Sequence, residues 1–161
     1  MSVVKSITSP MKFLIQAGLL ADLGKHIEQY GKKALIIADP FIQEKARKDS
    51  AGCFEECGIQ AVFSVFGGEC SDDEINKNQA LFAEHSCEYV VGIGGGKTLD
   101  TAKAVAYYQK VPVVIVPTLA STDAPCTALT VIYNADGSFN RYLFLPNNPN
   151  AVLADTKLLA A

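Results

Sequence analysis

The sequence has 161 residues, and 49% of them are hydrophobic, so one domain with a packed core is expected over 1–161. Its formal net charge is −3 at pH 7 and it has no run of lysine or arginine, which argues against nucleic acid as a partner. Because no stretch of about twenty consecutive apolar residues is present, we expect neither a transmembrane helix nor a membrane partner.

The five cysteines favour a reducing compartment. Their number is odd, and no two of them form a Cys-x-x-Cys motif. Cys53 and Cys57 are four residues apart, which predicts packing on one helix face. The amino terminus also lacks the charged start and long apolar stretch of a signal peptide, so we expect a cytoplasmic protein.

The first part of the chain predicts short strands and amphipathic helices. The first elements are two strands and a helix, over 3–7, 13–15 and 19–29. The apolar run 34–38 then suits a parallel strand covered on both faces. Asp39 follows it, at a strand's carboxyl end, where an acid can accept hydrogen bonds from ribose hydroxyls. Asp39 could instead cap the helix predicted over 41–57, and one aspartate could do both.

The stretch from Tyr89 to Lys103 predicts a strand, a glycine turn and a helix. Gly94, Gly95 and Gly96 remove every Cβ at the turn, which lets another group approach the backbone closely. The helix then opens with unpaired N–H groups, a favourable position for an anion. Lys97 faces the positive end of the helix dipole, and a bound phosphate would outweigh that repulsion. Alternatively, Lys97 points into solvent and the glycines only form a tight turn.

The spacing of the glycines matches neither of two common phosphate-binding motifs. A G-x-G-x-x-G motif counted from Gly92 would need glycine where Lys97 stands. A Walker A loop would end on Gly96-Lys97-Thr98, but its first glycine would fall on Val91. A P-loop-like nucleotide hydrolase therefore stays open as an alternative.

The remaining elements complete an α/β pattern. Further strands or helices are expected over 60–66, 71–85, 111–116 and 151–154, with a hairpin of 127–133 and 141–145. Strands and helices alternate in units of about thirty residues, which is typical of a parallel sheet with βαβ crossovers. We therefore predict a Rossmann-like parallel sheet flanked by helices, with an added β-hairpin. A last helix begins at Asp155-Thr156, so we expect a truncated chain.

Three segments resemble a known family. They are Gly-Gly-Gly-Lys-Thr-Leu-Asp-Thr-Ala-Lys over 94–103, Pro-Thr-Leu-Ala-Ser-Thr-Asp-Ala-Pro-Cys over 117–126 and Leu-Pro-Asn-Asn-Pro over 145–149. Together they resemble the glycerol dehydrogenases of the iron-containing alcohol dehydrogenase superfamily. The match extends along the whole chain but covers only the N-terminal half of the family's length. The resemblance implies NAD-dependent oxidation of glycerol to dihydroxyacetone, with zinc.

The resemblance also implies which residues bind NAD. They are Asp39, Gly94, Gly95, Gly96, Lys97, Thr98, Leu99, Asp100, Thr118, Ser121, Thr127, Leu129 and Tyr133. Residues 94–97 would hold the pyrophosphate, Asp100 would cap or orient that loop, and Asp39 would take the adenosine ribose.

The same resemblance divides the other contacts between the two ends of the cofactor. Thr118 and Ser121 would line the adenine and phosphate side. Thr127, Leu129 and Tyr133 would line the nicotinamide and its ribose.

The resemblance implies a substrate-binding residue in this chain but no metal ligand. Asp123 would hydrogen-bond a glycerol hydroxyl. In the family, an aspartate and two histidines of a helical second domain bind zinc, and that domain would follow Ala161. His26 and His85 match no ligand motif, so no metal ligand is predicted. Because zinc catalysis needs about three protein ligands, we expect this chain alone to lack dehydrogenase activity.

Two further expectations follow from the missing domain. The surface that would pack against it should be exposed and partly apolar, which predicts a homo-oligomer. A non-catalytic, self-associating nucleotide-binding fragment is therefore a second alternative to an active enzyme.

Overall fold

The computed structural model describes residues 6–160. The strand predicted over 3–7 falls mostly outside that range, and Ser6 and Ile7 belong to no strand. The strands are β1 (Lys12–Gln16), β2 (Lys33–Ala38), β3 (Gln60–Val65), β4 (Tyr89–Gly94), β5 (Val113–Pro117), β6 (Leu129–Tyr133), β7 (Phe139–Phe144) and β8 (Ala151–Asp155). The helices are α1 (Leu23–Ile27), α2 (Pro40–Cys57), α3 (Asp72–Glu84), α4 (Gly96–Gln109) and α5 (Thr156–Leu159), and a 3-10 turn spans Glu28–Tyr30.

Six strands form one parallel sheet in the order β1-β8-β5-β4-β2-β3. β6 and β7 form a separate antiparallel hairpin. This confirms the predicted Rossmann-like sheet with an added hairpin. β4 lies between β2 and β5, so the carboxyl ends of these three strands meet at one edge of the sheet.

The sheet separates two clusters of buried side chains. Ala34 and Ile36 of β2 face the cluster that includes side chains of α1 and α2. Leu35 and Ile37 face the cluster that includes side chains of α3 and α4. Because successive side chains of a strand point to opposite faces, a strand covered on both sides must be apolar throughout. Among residues 6–160, no helix is both long enough and apolar enough to cross a bilayer.

The first helix is shorter than predicted. The apolar spacing suggested a helix over 19–29, but α1 begins only at Leu23. The carboxylate of Asp155, at the end of β8, accepts hydrogen bonds from the N–H groups of Gly18 (2.8 Å) and Leu20 (2.9 Å). These contacts hold residues 18–20 beside the sheet in a turn, and Leu20 is buried without being helical.

Local side chains and a glycine cap several of the helices. The hydroxyl of Ser71 accepts a hydrogen bond from the N–H of Glu74, as expected for the start of α3. The carboxylate of Asp155 likewise caps α5 through the N–H of Lys157. Gly58 ends α2 in the left-handed conformation, with φ of 65°.

Gly92 allows α4 to pack closely on β4. A Cβ at this position would lie 2.7 Å from the Cβ of Ala102 and 3.4 Å from Cδ2 of Leu99. The first distance is too short for two carbon atoms, so the strand and the helix would have to move apart. This contact fixes the depth at which α4 lies against the sheet.

We expect Gly92→Ala to lower the free energy of unfolding by about 1–3 kcal/mol, because it overpacks this contact. Denaturant unfolding measures the change. Gly52→Ala is the matched control, since a Cβ there meets nothing within 4 Å in α2. The control should raise stability by about 0.5–1 kcal/mol, as alanine is the better helix former. Equal effects of both substitutions would contradict the packing argument.

Asp155 predicts a loss of stability in acid. Burial favours its neutral form, but hydrogen bonds from the N–H groups of Leu20, Gly18 and Lys157 hold the pKa of Asp155 below its ordinary value. Its stabilising effect is therefore complete above the unfolded-state pKa of about 3.9 and is lost as pH falls through the lower folded-state pKa. Unfolding of wild type and Asp155→Asn should differ clearly at neutral pH and converge towards strong acid. A constant difference across that range would contradict this role.

Candidate functional site

Asp39 connects the ends of β2 and β4. Its side chain makes no capping hydrogen bond to α2. Instead, one carboxylate oxygen accepts from the N–H of Gly95 (2.8 Å) and the other from the hydroxyl of Thr98 (2.5 Å). Asp39 therefore occupies the N-cap position of α2, but its carboxylate bonds to the glycine turn and not to the helix. Each carboxylate oxygen has a second lone pair and can accept one more hydrogen bond.

The glycine turn is closely surrounded by other groups. A Cβ on Gly94 would overlap the carboxylate of Asp39. A Cβ on Gly96 would lie 3.3 Å from the hydroxyl oxygen of Thr122. The absence of side chains therefore lets Asp39 and Thr122 approach the turn from two sides.

Three successive N–H groups are free at the start of α4. The first backbone hydrogen bond of the helix runs from the N–H of Leu99 to the carbonyl of Gly95 (3.0 Å). Within the described chain, the N–H groups of Gly96, Lys97 and Thr98 have no acceptor. They lie at the positive end of a helix of 14 residues. Such an arrangement favours a phosphate group.

Lys97 is held by a partner that the sequence did not indicate. Its ammonium forms an ion pair of 2.7 Å with Glu69, from the segment between β3 and α3. It also lies 5.3 Å from the ring centroid of Tyr133. Glu69 itself accepts a hydrogen bond from the N–H of Cys70 (3.1 Å). The glutamate therefore offsets the unfavourable position of Lys97 at the start of the helix.

A cavity of about 250 Å³ lies beside the glycine turn. The predicted site residues that line it are Gly96, Lys97, Asp100, Asp123, Thr127, Leu129 and Tyr133. Thr122, Ala124 and Val131 also line it, and the sequence did not single them out. The structure thus brings together one helix, the loop after β5 and the hairpin.

Other predicted residues lie outside the cavity wall. Thr118 follows β5, and its buried hydroxyl has no hydrogen-bond partner in the part of the chain that the structure describes. Ser121 is exposed in the next loop. The side chain of Leu99 is fully buried and packs in the core. The cofactor contact expected of Leu99 stays a prediction.

In the part of the chain that the structure describes, the carboxylate of Asp100 makes no hydrogen bond to the glycine turn that it was expected to cap or orient. One of its carboxylate oxygens accepts from the N–H of Val131 (3.1 Å), and the other lies 2.9 Å from the ammonium of Lys103. Burial raises the pKa of Asp100, and the positive charge of Lys103 opposes that shift. Asp100 therefore attaches the hairpin to α4.

The described residues do not form a binding site for zinc. Across residues 6–160, no three histidine, cysteine, aspartate or glutamate side chains lie close enough together to hold a metal ion. The two histidines belong to α1 and to the end of α3, away from the cavity lining.

A parallel sheet whose central strand leads through a glycine turn into a helix, with a carboxylate from the neighbouring strand beside it, defines a Rossmann-like domain. Residues 10–156 match the family model for iron-containing alcohol dehydrogenase. The chain belongs to that family.

Similar proteins include several glycerol dehydrogenases. The chain is 46% identical over 154 residues to one from Escherichia coli, a match of 96% of this chain and 42% of that protein. It is 48% identical over 152 residues to one from Thermotoga maritima, covering 94% of this chain and 41% of that protein. The chain thus spans about two fifths of the length of these relatives.

Solved structures support the same assignment. A probable glycerol dehydrogenase from Sinorhizobium meliloti 1021 superposes with a TM-score of 0.90 at 38% identity, covering 98% of this chain and 42% of that one. A 1,3-propanediol oxidoreductase superposes with a TM-score of 0.88 at 20% identity and shares the fold.

The contact between Thr98 and Asp39 can be tested by removing one hydroxyl. We expect Thr98→Val to lower the free energy of unfolding by about 1.5–3 kcal/mol, because a buried hydrogen bond to a carboxylate is lost. Thr98→Ser keeps the hydroxyl and should lose less than ~1 kcal/mol for the missing methyl group. Denaturant unfolding of both variants measures the difference, and equal losses would rule out the hydrogen bond as the cause.

Proposed function

We propose that this chain is the NAD-binding part of a glycerol dehydrogenase, which oxidises glycerol to dihydroxyacetone with NAD and zinc. The observation that carries this proposal is the set of three unpaired N–H groups at the glycine turn, beside a cavity of about 250 Å³. The similarity to glycerol dehydrogenases over nearly the whole chain supports the choice of substrate.

In this proposal, the turn from Gly94 to Lys97 binds the pyrophosphate. The negative charge would accept hydrogen bonds from the free N–H groups and offset the positive helix end. The ammonium of Lys97 lies in the wall of the same cavity, within reach of such a group. A bound diphosphate would therefore compete with Glu69 for Lys97.

Asp39 is proposed to bind the adenosine ribose. Its two carboxylate oxygens each accept one hydrogen bond from the protein and can accept another from a ribose hydroxyl. A 2′-phosphate would face this negative charge, so NAD is expected to bind better than NADP. Thr118 and Ser121 are proposed for the adenine and phosphate side.

The nicotinamide end is assigned to the far side of the cavity. Thr127, Leu129 and Tyr133 belong to its wall, and Asp123 beside them is proposed to accept a hydrogen bond from a glycerol hydroxyl. NAD, when bound, supplies the hydride acceptor. The residues of this chain bind and orient the two reactants.

The chain alone is proposed to bind NAD(H) without oxidising glycerol, since the described residues offer no zinc ligand set. Zinc-dependent formation of NADH from glycerol by the purified chain would contradict this.

Exposed apolar side chains on β1, such as Ile15, and on β7, such as Phe144, support a homo-oligomer. A cytoplasmic location also stays part of the proposal.

A P-loop-like hydrolase has less support. Thr98, which stands where that motif would place its magnesium-binding hydroxyl, is buried and donates its hydrogen bond to Asp39. Competition between nucleotides separates the two functions.

A fluorescence titration of NADH into the purified chain tests the proposal. We expect saturable binding that ATP and NADPH displace poorly. Lys97→Gln should raise the Kd for NADH roughly fivefold, the equivalent of about 1 kcal/mol for one charge near the phosphates. Lys110→Gln is the matched control at the other end of the same helix and should leave the Kd unchanged.

Either of two results would overturn this reading of the site. Equal displacement by ATP would favour the hydrolase. An absence of NADH binding would mean either that this chain alone does not close its site or that the glycine turn serves another ligand, and both contradict the proposal that the chain binds NAD(H).

A further inference from the structure

Lys103 is the most unusual charged residue of the site. Its side chain, which projects from α4, is fully buried. Its ammonium nitrogen lies 2.6 Å from the carbonyl oxygen of Leu129, 2.9 Å from that of Ala124 and 3.3 Å from the hydroxyl of Thr127. The carboxylate of Asp100 lies 2.9 Å away on the helix side. The ammonium is therefore enclosed by oxygen atoms.

We infer that Lys103 is a positioning residue, whose buried ammonium holds the segment 122–129 against α4 so that Asp123 and Thr127 face the cavity. The inference rests on the proposed function, because it concerns the wall to which we assign the nicotinamide and the substrate. Lys103 itself does not line the cavity.

The energetics favour a specific role for this charge. A buried ammonium is strongly unfavourable unless it is paired and hydrogen-bonded. Asp100 supplies the opposite charge, and the carbonyl groups of Ala124 and Leu129 accept hydrogen bonds from the ammonium. Removing the ammonium would leave these carbonyls and the carboxylate without their partner.

The segment after β5 has few other attachments. It contains no helix or strand between Pro117 and Leu129. Its remaining hydrogen bonds to other elements include one from the side-chain amide of Asn148 to the carbonyl of Cys126 (2.6 Å) and one from the N–H of Leu145 to the carbonyl of Ala128 (2.9 Å). Lys103 contacts both Ala124 and Leu129, and it connects these two positions to α4.

The orientation of two site residues depends on the contacts of Lys103. The carbonyl of Ala124 belongs to the residue directly after Asp123, so the contact limits where the Asp123 carboxylate can lie. The hydroxyl of Thr127 is itself a contact of the ammonium. Loss of Lys103 would therefore release both residues together.

Lys103→Met tests the inference, because methionine has nearly the same length and no charge. Hydrogen exchange followed by mass spectrometry should show at least about tenfold faster exchange over 118–129, with β4 and β5 still protected. The Kd for NADH should rise about tenfold in the same folded protein. Lys110→Met, at the C-cap of the same helix and outside the cavity wall, should change neither quantity.

A merely structural role would give a different result. It would lower the melting temperature and leave the exchange of 118–129 and the Kd unchanged in the folded state. That outcome would overturn the inference.

Lys103→Arg decides the question if Lys103→Met fails to fold. Arginine keeps the buried charge opposite Asp100, but its planar donors cannot point at both the Ala124 and Leu129 carbonyls in the same way. Exchange over 118–129 and the Kd should then change in the same direction, and wild-type values for both would overturn the inference. If the wild-type chain binds no NADH, the proposed function fails, while the exchange measurement still decides the role of Lys103.

Discussion

The carboxylate of Asp39 is the contact on which the site depends. It joins the carboxyl ends of two neighbouring strands by accepting from Gly95 and Thr98. These bonds fix the turn between β4 and α4, and the turn sets the direction of the helix. The free N–H groups at the start of α4 point outward as a result. One carboxylate makes both contacts, because each of its oxygens accepts a hydrogen bond from a different residue of the turn.

The sheet and the segments beside it are stabilised by different forces. The central strands are buried on both faces, so apolar burial holds them. The hairpin also buries Ile132 in the core, but it and the loop after β5 are attached in addition through charged side chains. Asp100 and Lys103 connect them to α4, and Arg141 forms two hydrogen bonds of 2.7 and 2.8 Å with Asp72 at the start of α3. Directional contacts of this kind suit a cavity wall, since they fix a position without requiring an apolar surface.

The site also balances opposite charges within a short distance. Lys97 of the cavity wall is paired with Glu69, and Asp100 of the same wall is paired with the buried Lys103. The first pair is partly exposed, so separating it is expected to cost little free energy. The second pair is buried, and separating it would leave a charge without compensation. The two lysines, six residues apart on one helix, therefore differ in how firmly their ion pairs are held.

The sequence by itself determined the parallel sheet, the hairpin and the place of the glycine turn, because each depends on a local pattern of apolar residues and turn residues. It also named much of the cavity wall, from Gly96 to Tyr133, through resemblance to a family. Tertiary structure alone decided the partners: Thr98 with Asp39, 59 residues away, and Lys97 with Glu69, 28 residues away. It also shortened the first helix, since Asp155 binds the backbone of Gly18 across 137 residues. No local pattern encodes such pairs, because which charges and N–H groups meet depends on how the strands are ordered in the sheet.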